Sequence, residues 1–132
     1  MIVVDTSVWI DFLNENDTAQ VAQVAALLHD GAPLALTDVI YTEILQGVRD
    51  AGQAEQLDYH LRAFPVVRLE SLDDFRLAAS LYRQARASGI TIRKTLDCLI
   101  AAPCIREDVP ILHADHDFDR LASCTSLRVF EL

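Results

Sequence analysis

Short, β-branched apolar runs alternate with longer stretches of helical periodicity along this chain, and few architectures accept that pattern. The first run, Ile2-Val3-Val4, is apolar at every position. A strand covered on both faces reads this way, whereas a strand with one wet face alternates apolar and polar residues. Further short runs fall at Pro33-Leu34-Ala35-Leu36, Val66-Val67-Arg68-Leu69 and Val109-Pro110-Ile111-Leu112, with a last one over residues 127–130. Helical patterns separate them, over residues 6–13, 18–30, 38–48, 53–64, 72–87, 95 onward and 116–122. Strand and helix in alternation predict an α/β fold with a parallel sheet. A chain of 132 residues fits one compact domain, 1–132, and at 52% hydrophobic it can fill a sizeable core.

Local signals place the breaks. Thr6 or Ser7 caps the first helix, and Asp17 or Thr18 the second, which carries Val21, Val24, Ala25 and Leu28 on one face. Gly31 and Ser88-Gly89 stand where helices end, Pro65 stops another, and Ser71 caps the long helix that follows residues 66–69. Pro110 is easiest near a strand start or on an edge. Trp9 and Phe12, three apart on the first helix, are core residues.

Four acids lack an adequate structural explanation or lie just past a strand. Asp5 directly follows the first strand, where open parallel sheets place their ligand sites. Capping hydroxyls at Thr6 and Ser7 make an N-cap role for it look redundant. Glu43 sits inside the 38–48 helix, three residues after Ile40 and four before Gly47, so it borders the apolar face. A capping box from Thr37 would put its acid at position 40, which is Ile40, so no such box explains Glu43. Asp97 opens Asp97-Cys98-Leu99-Ile100-Ala101-Ala102, a helix apolar nearly all round and therefore buried. A helix N-terminus offsets roughly 0.3–1 kcal/mol of a carboxylate's burial, too little for a buried charge, so a cation partner is expected. Asp115 lies just past the 109–112 run, in His113-Ala114-Asp115-His116-Asp117-Phe118-Asp119, and competes there with a plain N-cap role. Asp117 is either a fifth ligand or a first-turn acid, and Asp119 is expected to meet solvent or an arginine. His113 or His116 could orient a carboxylate or touch phosphate.

Brought together by the fold, these acids repel: two unit charges about 4 Å apart cost about 4 kcal/mol at an effective dielectric near 20. Such groups raise their pKa values or recruit cations. All-oxygen ligation favours Mg²⁺ or Mn²⁺ over zinc. Two ions could activate water and stabilise the leaving oxygen in phosphodiester cleavage. The net charge of −9 argues against holding nucleic acid by bulk charge, but not against holding phosphate through cations. Ten of the eleven basic residues are arginine, the type suited to bidentate phosphate contacts. The chain shows no apolar run of membrane-spanning length and no signal-peptide pattern. Cys98, Cys104 and Cys124 form no CxxC pair, which fits reduced thiols in a cytoplasmic protein.

Residues 2–10, Ile-Val-Val-Asp-Thr-Ser-Val-Trp-Ile, closely resemble the opening of PIN-domain proteins, and of VapC-type toxins in particular. The match continues through Thr42-Glu43-Ile44-Leu45-Gln46-Gly47 and Asp97-Cys98-Leu99-Ile100-Ala101 to Leu112-His113-Ala114-Asp115-His116-Asp117-Phe118. Each motif is weak alone; four in order across the chain are specific. The resemblance implies a three-layer α/β/α sandwich and a Mg²⁺- or Mn²⁺-dependent endoribonuclease, with one or two ions, acting on structured RNA such as tRNA or ribosomal RNA. It implies acidic site positions at Asp5, Glu43, Asp97 and Asp115, with Asp117 as helper and Thr6 beside the first acid. It implies too a VapB-type antitoxin that blocks the site, and a toxin homodimer within that complex. Pro103 departs from the family pattern. It removes the bond to the Leu99 carbonyl and is expected to kink or break the helix beyond Ala102.

Two other readings compete. A phosphatase of the haloacid dehalogenase type also begins with a strand-end aspartate, but Asp5-Thr6-Ser7 lacks the second acid of its DxD pair. A response-regulator-like binding domain needs a lysine after a strand, whereas Lys94, the only lysine, precedes a helix.

Overall fold

In the computed structural model, which describes residues 1–132, the apolar runs pair as four parallel strands. These are β1 (Ile2–Val4), β2 (Leu34–Thr37), β3 (Val66–Val67) and β4 (Ile111–Leu112), in the order β3-β2-β1-β4. The β-branched run of β1 takes the middle: Val3 pairs with Ala35 on one side and Ile111 on the other. Seven helices cover the sheet: α1 (Thr6–Leu13), α2 (Ala19–His29), α3 (Asp38–Gln46), α4 (Ala51–Leu61), α5 (Leu72–Ala87), α6 (Thr95–Arg106) and α7 (His116–Cys124). One group packs α1 against α2 and α3, and α3 against α4; the other packs α5 against α6 and α7. This is the expected α/β/α sandwich. Its core includes Val3, Val4, Trp9, Leu36, Ile40, Ile100, Ile111 and Phe118, all buried. No helix is long and apolar enough to cross a membrane.

The chain moves outward from β1 to β2 and β3, then returns to place β4 on the other side of β1. Strand order therefore reverses between β1 and β4, and the crevice outside their carboxyl ends is where such sheets bind ligands. Asp5 and Asp115 emerge at that point. The Asp5 N–H donates to the Leu112 carbonyl at 2.9 Å, tying the end of β1 to that of β4.

Three expectations are corrected. The strand over residues 127–130 reduces to one parallel bridge between Ile111 and Val129, made by Ile111 N–H to the Arg128 carbonyl at 3.0 Å and Phe130 N–H to Ile111 at 2.8 Å. The run at 66–69 is strand only over Val66–Val67, because Leu69 N–H turns to the Asp38 carboxylate at 3.1 Å. α6 neither breaks nor ends at Pro103 but runs on to Arg106. Pro103 is buried there with Cys98, Ile100, Ala101, Ala102 and Cys104, and the packing of that nearly all-apolar helix outweighs one missing backbone bond. Cys98, Cys104 and Cys124 are free, and burial pushes the first two thiols up to about 11 and about 12.

Gly31 ends α2 as the sequence predicts. Its φ is +71°, its N–H donates to Leu28 at 3.1 Å, and Ala32 N–H reaches back to Leu27 at 2.9 Å, which closes a Schellman motif. Nothing lies within 4 Å of where a Cβ would sit, so the cost of adding one is conformational alone. Gly31→Ala is therefore expected to destabilise by about 1 kcal/mol. Urea melts read this as a lower midpoint with unchanged slope; an unchanged midpoint would refute it.

Candidate metal centre

Asp5, Glu43, Asp97 and Asp115 line one cleft of about 330 Å³ beside the β1–β4 switch, together with Thr6 and Lys94. Each acid arrives by a local device. Asp5 is the N-cap of α1 after all: its Oδ2 accepts from the Ser7 amide at 3.3 Å and the Ser7 hydroxyl at 2.7 Å. Ser7 thus holds the carboxylate instead of replacing it as the cap. Asp5 is 5% exposed. Burial raises its pKa and the Glu43 charge adds to this, against the lowering effect of the Ser7 bonds.

Glu43 projects from the second turn of α3, half-buried, and its Oε1 accepts from the Thr6 hydroxyl at 2.8 Å. Thr6 therefore joins the first acid's helix to the second acid. Thr37 caps α3 through the Ile40 amide, which leaves Glu43 free of any capping duty.

Asp97 stands in the first turn of α6, whose N-cap Lys94 makes no side-chain cap bond. It is 5% exposed, and its Oδ2 is buried without a hydrogen-bond donor. Burial first, then the charges of Asp115, Asp5 and Asp117, push its pKa up to about 7, with Lys94 opposing.

Asp115 caps α7. Its Oδ1 accepts from the Asp117 amide at 2.9 Å and from the Arg93 guanidinium at 3.3 Å. Its own amide donates to His113 Nδ1 at 3.0 Å, while His113 Nε2 faces Asp119 Oδ1 at 3.1 Å. Asp119 meets solvent as expected, its side chain 60% exposed, and has a histidine rather than an arginine as its partner. His113 reaches Asp119 because it follows β4 directly and lies beside the first turn of α7.

Asp117 differs from the other four. It is fully buried and does not line the cleft. Its Oδ1 accepts from Arg120 at 2.6 Å, and its Oδ2 from Arg93 Nε at 3.2 Å and the Arg93 amide at 3.4 Å. Burial alone would raise its pKa, but the Arg120 and Arg93 bonds hold it below the usual carboxylate range. Asp97, Asp115 and Asp117 can bring one oxygen each within 4.8 Å of one another.

Sequence reading missed Arg93, Arg120 and the tie from Ser7. The one available signal was Arg93-Lys94 standing directly before an otherwise apolar helix. The donor set is oxygen throughout, and a buried acceptor in it has no donor. Both features suit a hard divalent cation held by oxygen.

Comparison with known proteins agrees with this geometry. The PIN-domain family profile matches residues 2–123. A VapC ribonuclease of Mycobacterium bovis is 37% identical over 129 residues, covering 97% of this chain and 96% of that protein. Ribonuclease VapC11 of Mycobacterium tuberculosis matches to the same extent, 37% over 129 residues. Among solved structures, VapBC2 from Rickettsia felis, bound to a promoter DNA fragment, superposes with a TM-score of 0.76 at 17% identity, over 98% of both chains. FitAcB from Neisseria gonorrhoeae gives a TM-score of 0.75 at 18%, over 99% of this chain and 97% of that one. At such identities these structures speak to the fold alone. The acidic cleft at the strand switch, the profile across most of the chain and the mycobacterial relatives agree that the chain belongs to the PIN-domain family, alongside the VapC ribonucleases.

Proposed function

We propose that this protein is a metal-dependent endoribonuclease toxin that cleaves structured cellular RNA, of the tRNA or ribosomal RNA class, and is restrained by a VapB-type antitoxin. The observation that carries the reading is the orphaned Asp97 Oδ2 in an oxygen-only cleft, in a chain 37% identical to VapC ribonucleases. Asp5, Asp97 and Asp115 would hold Mg²⁺ or Mn²⁺, with Glu43 as a further ligand or the group that orients water. When bound, the cation supplies a more acidic water and a counter-charge for the phosphate in flight.

The protein's own part is preorganisation. Ser7 fixes one oxygen of Asp5, Thr6 fixes one of Glu43, and the Asp117 amide fixes one of Asp115. Each acid keeps its other oxygen for the cleft, and from there Glu43 can take a proton from water. Lys94 on the cleft wall offers a positive charge to an RNA phosphate. The phosphatase and response-regulator readings give way to the family assignment.

Solved neighbours of this fold include a toxin–antitoxin complex from Klebsiella pneumoniae. That likeness supports a proteinaceous inhibitor for this chain as well. Such a partner could silence the cleft most directly by placing a cationic side chain among the carboxylates.

The test is cleavage of total tRNA and ribosomal RNA by purified protein. Cleavage should need Mg²⁺ or Mn²⁺, stop with a chelator, and fall roughly 100–1,000-fold in Asp5→Ala. Equal cleavage by Asp5→Ala, or in excess chelator, would overturn the reading.

A further inference from the structure

Asp117 is held differently from the acids that line the cleft. Asp5, Glu43 and Asp115 each have one oxygen fixed by protein donors and one left over, and Asp97 has a buried oxygen with no donor. Asp117 has both oxygens engaged by arginine and no exposed surface. One of those arginines, Arg93, also bonds Asp115 Oδ1, so a single guanidinium straddles Asp115 and Asp117 at 3.3 and 3.2 Å. Those two acids, with Asp97, form the tightest convergence of carboxylates in the chain. A +1 guanidinium therefore already stands against two of the three groups that a second ion would need.

We propose that Arg93, anchored on Asp117, takes the place of a second metal ion, so that the cleft accepts one divalent cation. The inference rests on the metal-nuclease reading above and goes on to fix the ion count and the function of Asp117. A second dication beside Arg93 would meet a like charge within the same few ångströms, and both oxygens of Asp117 would first have to shed their donors. Arg120, bonded to the far oxygen of Asp117, keeps that carboxylate from turning toward the cleft. The Arg93 side chain is 65% exposed, and its Nη1 has no partner within the protein. It can therefore face the RNA phosphate, where two-ion nucleases use their second cation. A guanidinium suits this because it stays charged and binds phosphate oxygens in pairs.

Mn²⁺ titration of the purified protein by calorimetry, with free Mn²⁺ counted by electron paramagnetic resonance, decides the matter without any activity measurement. The parent should bind one Mn²⁺. Arg93→Met should bind two, Arg93→Lys should stay at one, and Arg93→Met with Asp117→Asn should return to one. Circular dichroism melts confirm that each variant is folded; exposure of Arg93 makes this the expected result. Two ions in the parent, or one ion in folded Arg93→Met, would overturn the inference and leave the nuclease reading intact. No Mn²⁺ bound by the parent, or binding undiminished in Asp97→Asn, would overturn both.

Discussion

Asp97→Asn lowers Mg²⁺-dependent RNA cleavage by roughly a thousandfold, and it stabilises the metal-free protein at pH 8. The two effects have one origin. Asp97 is buried in the first turn of α6, next to three other carboxylates, and one of its oxygens has no donor. With no cation bound, burial and those charges favour the protonated acid and push its pKa up from 3.8 to about 7. Below about pH 4 the folded and unfolded states both hold the proton, so the group imposes no penalty. Between about 4 and 7 the unfolded chain releases the proton while the folded one retains it. Stability contributed by this group is therefore lost as pH rises through that window, and the loss is complete above about 7.

Asparagine keeps nearly the same shape and carries no charge at any pH. The variant should match the parent near pH 4 and melt roughly 5 °C higher at pH 8 in chelator. Mg²⁺ should raise the parent's melting temperature at pH 8 and leave that of the variant nearly unchanged. Scanning calorimetry from pH 4 to 9, with and without Mg²⁺, checks the whole pattern. Parallel pH profiles for parent and variant would show that Asp97 carries no such strain.

This coupling of function to strain also explains how the sequence could be read. β1, β2 and the cap at Ser71 were legible because each is set by residues within a few positions. Asp97 was legible because a helix apolar on every side has no place for an unpaired charge. The centre's other half was not. Asp117 depends on Arg93, 24 residues away, and Glu43 on Thr6, 37 residues away. No local pattern encodes either pairing: the pairing of β1 with β2 brings Glu43 to Thr6, and the return of the chain to β4 brings Asp117 to Arg93.

Pro103 failed as a helix breaker for a related reason. Its penalty is local, while the burial that offsets it belongs to α5 and the core. Asp5 was expected to line the site and not to cap α1, yet its Oδ2 makes the cap while the residue still lines the cleft. A carboxylate has two acceptors, and treating the two roles as rivals was the error.

Arg106→Met is expected to destabilise the protein by about 3 kcal/mol, lowering the melting temperature by roughly 10 °C. Arg106, in the last turn of α6, donates to the buried carboxylate of Asp74 near the start of α5, and to the Arg68 carbonyl at 2.9 Å. Asp74 also accepts from the Glu70 amide at 2.7 Å. Burial alone would raise the Asp74 pKa, but the Glu70 amide and the Arg106 guanidinium outweigh it and hold the pKa below the usual carboxylate range. The stability this gives is present above the unfolded value of 3.8 and is lost as pH falls through the folded one.

Methionine keeps much of the packing volume and leaves a buried charge without its partner, the costly half of the exchange. Removing both charges in Asp74→Leu with Arg106→Met should recover most of the loss, since apolar pairs of similar size replace buried ion pairs at little cost. The pair sits at the opposite end of α6 from Asp97, so folded Arg106→Met should keep the parent's Mn²⁺ affinity. A melting temperature within a degree or two of the parent would show that Asp74 finds another partner. Loss of Mn²⁺ binding in the folded variant would show instead that the far end of α6 sets the position of Asp97.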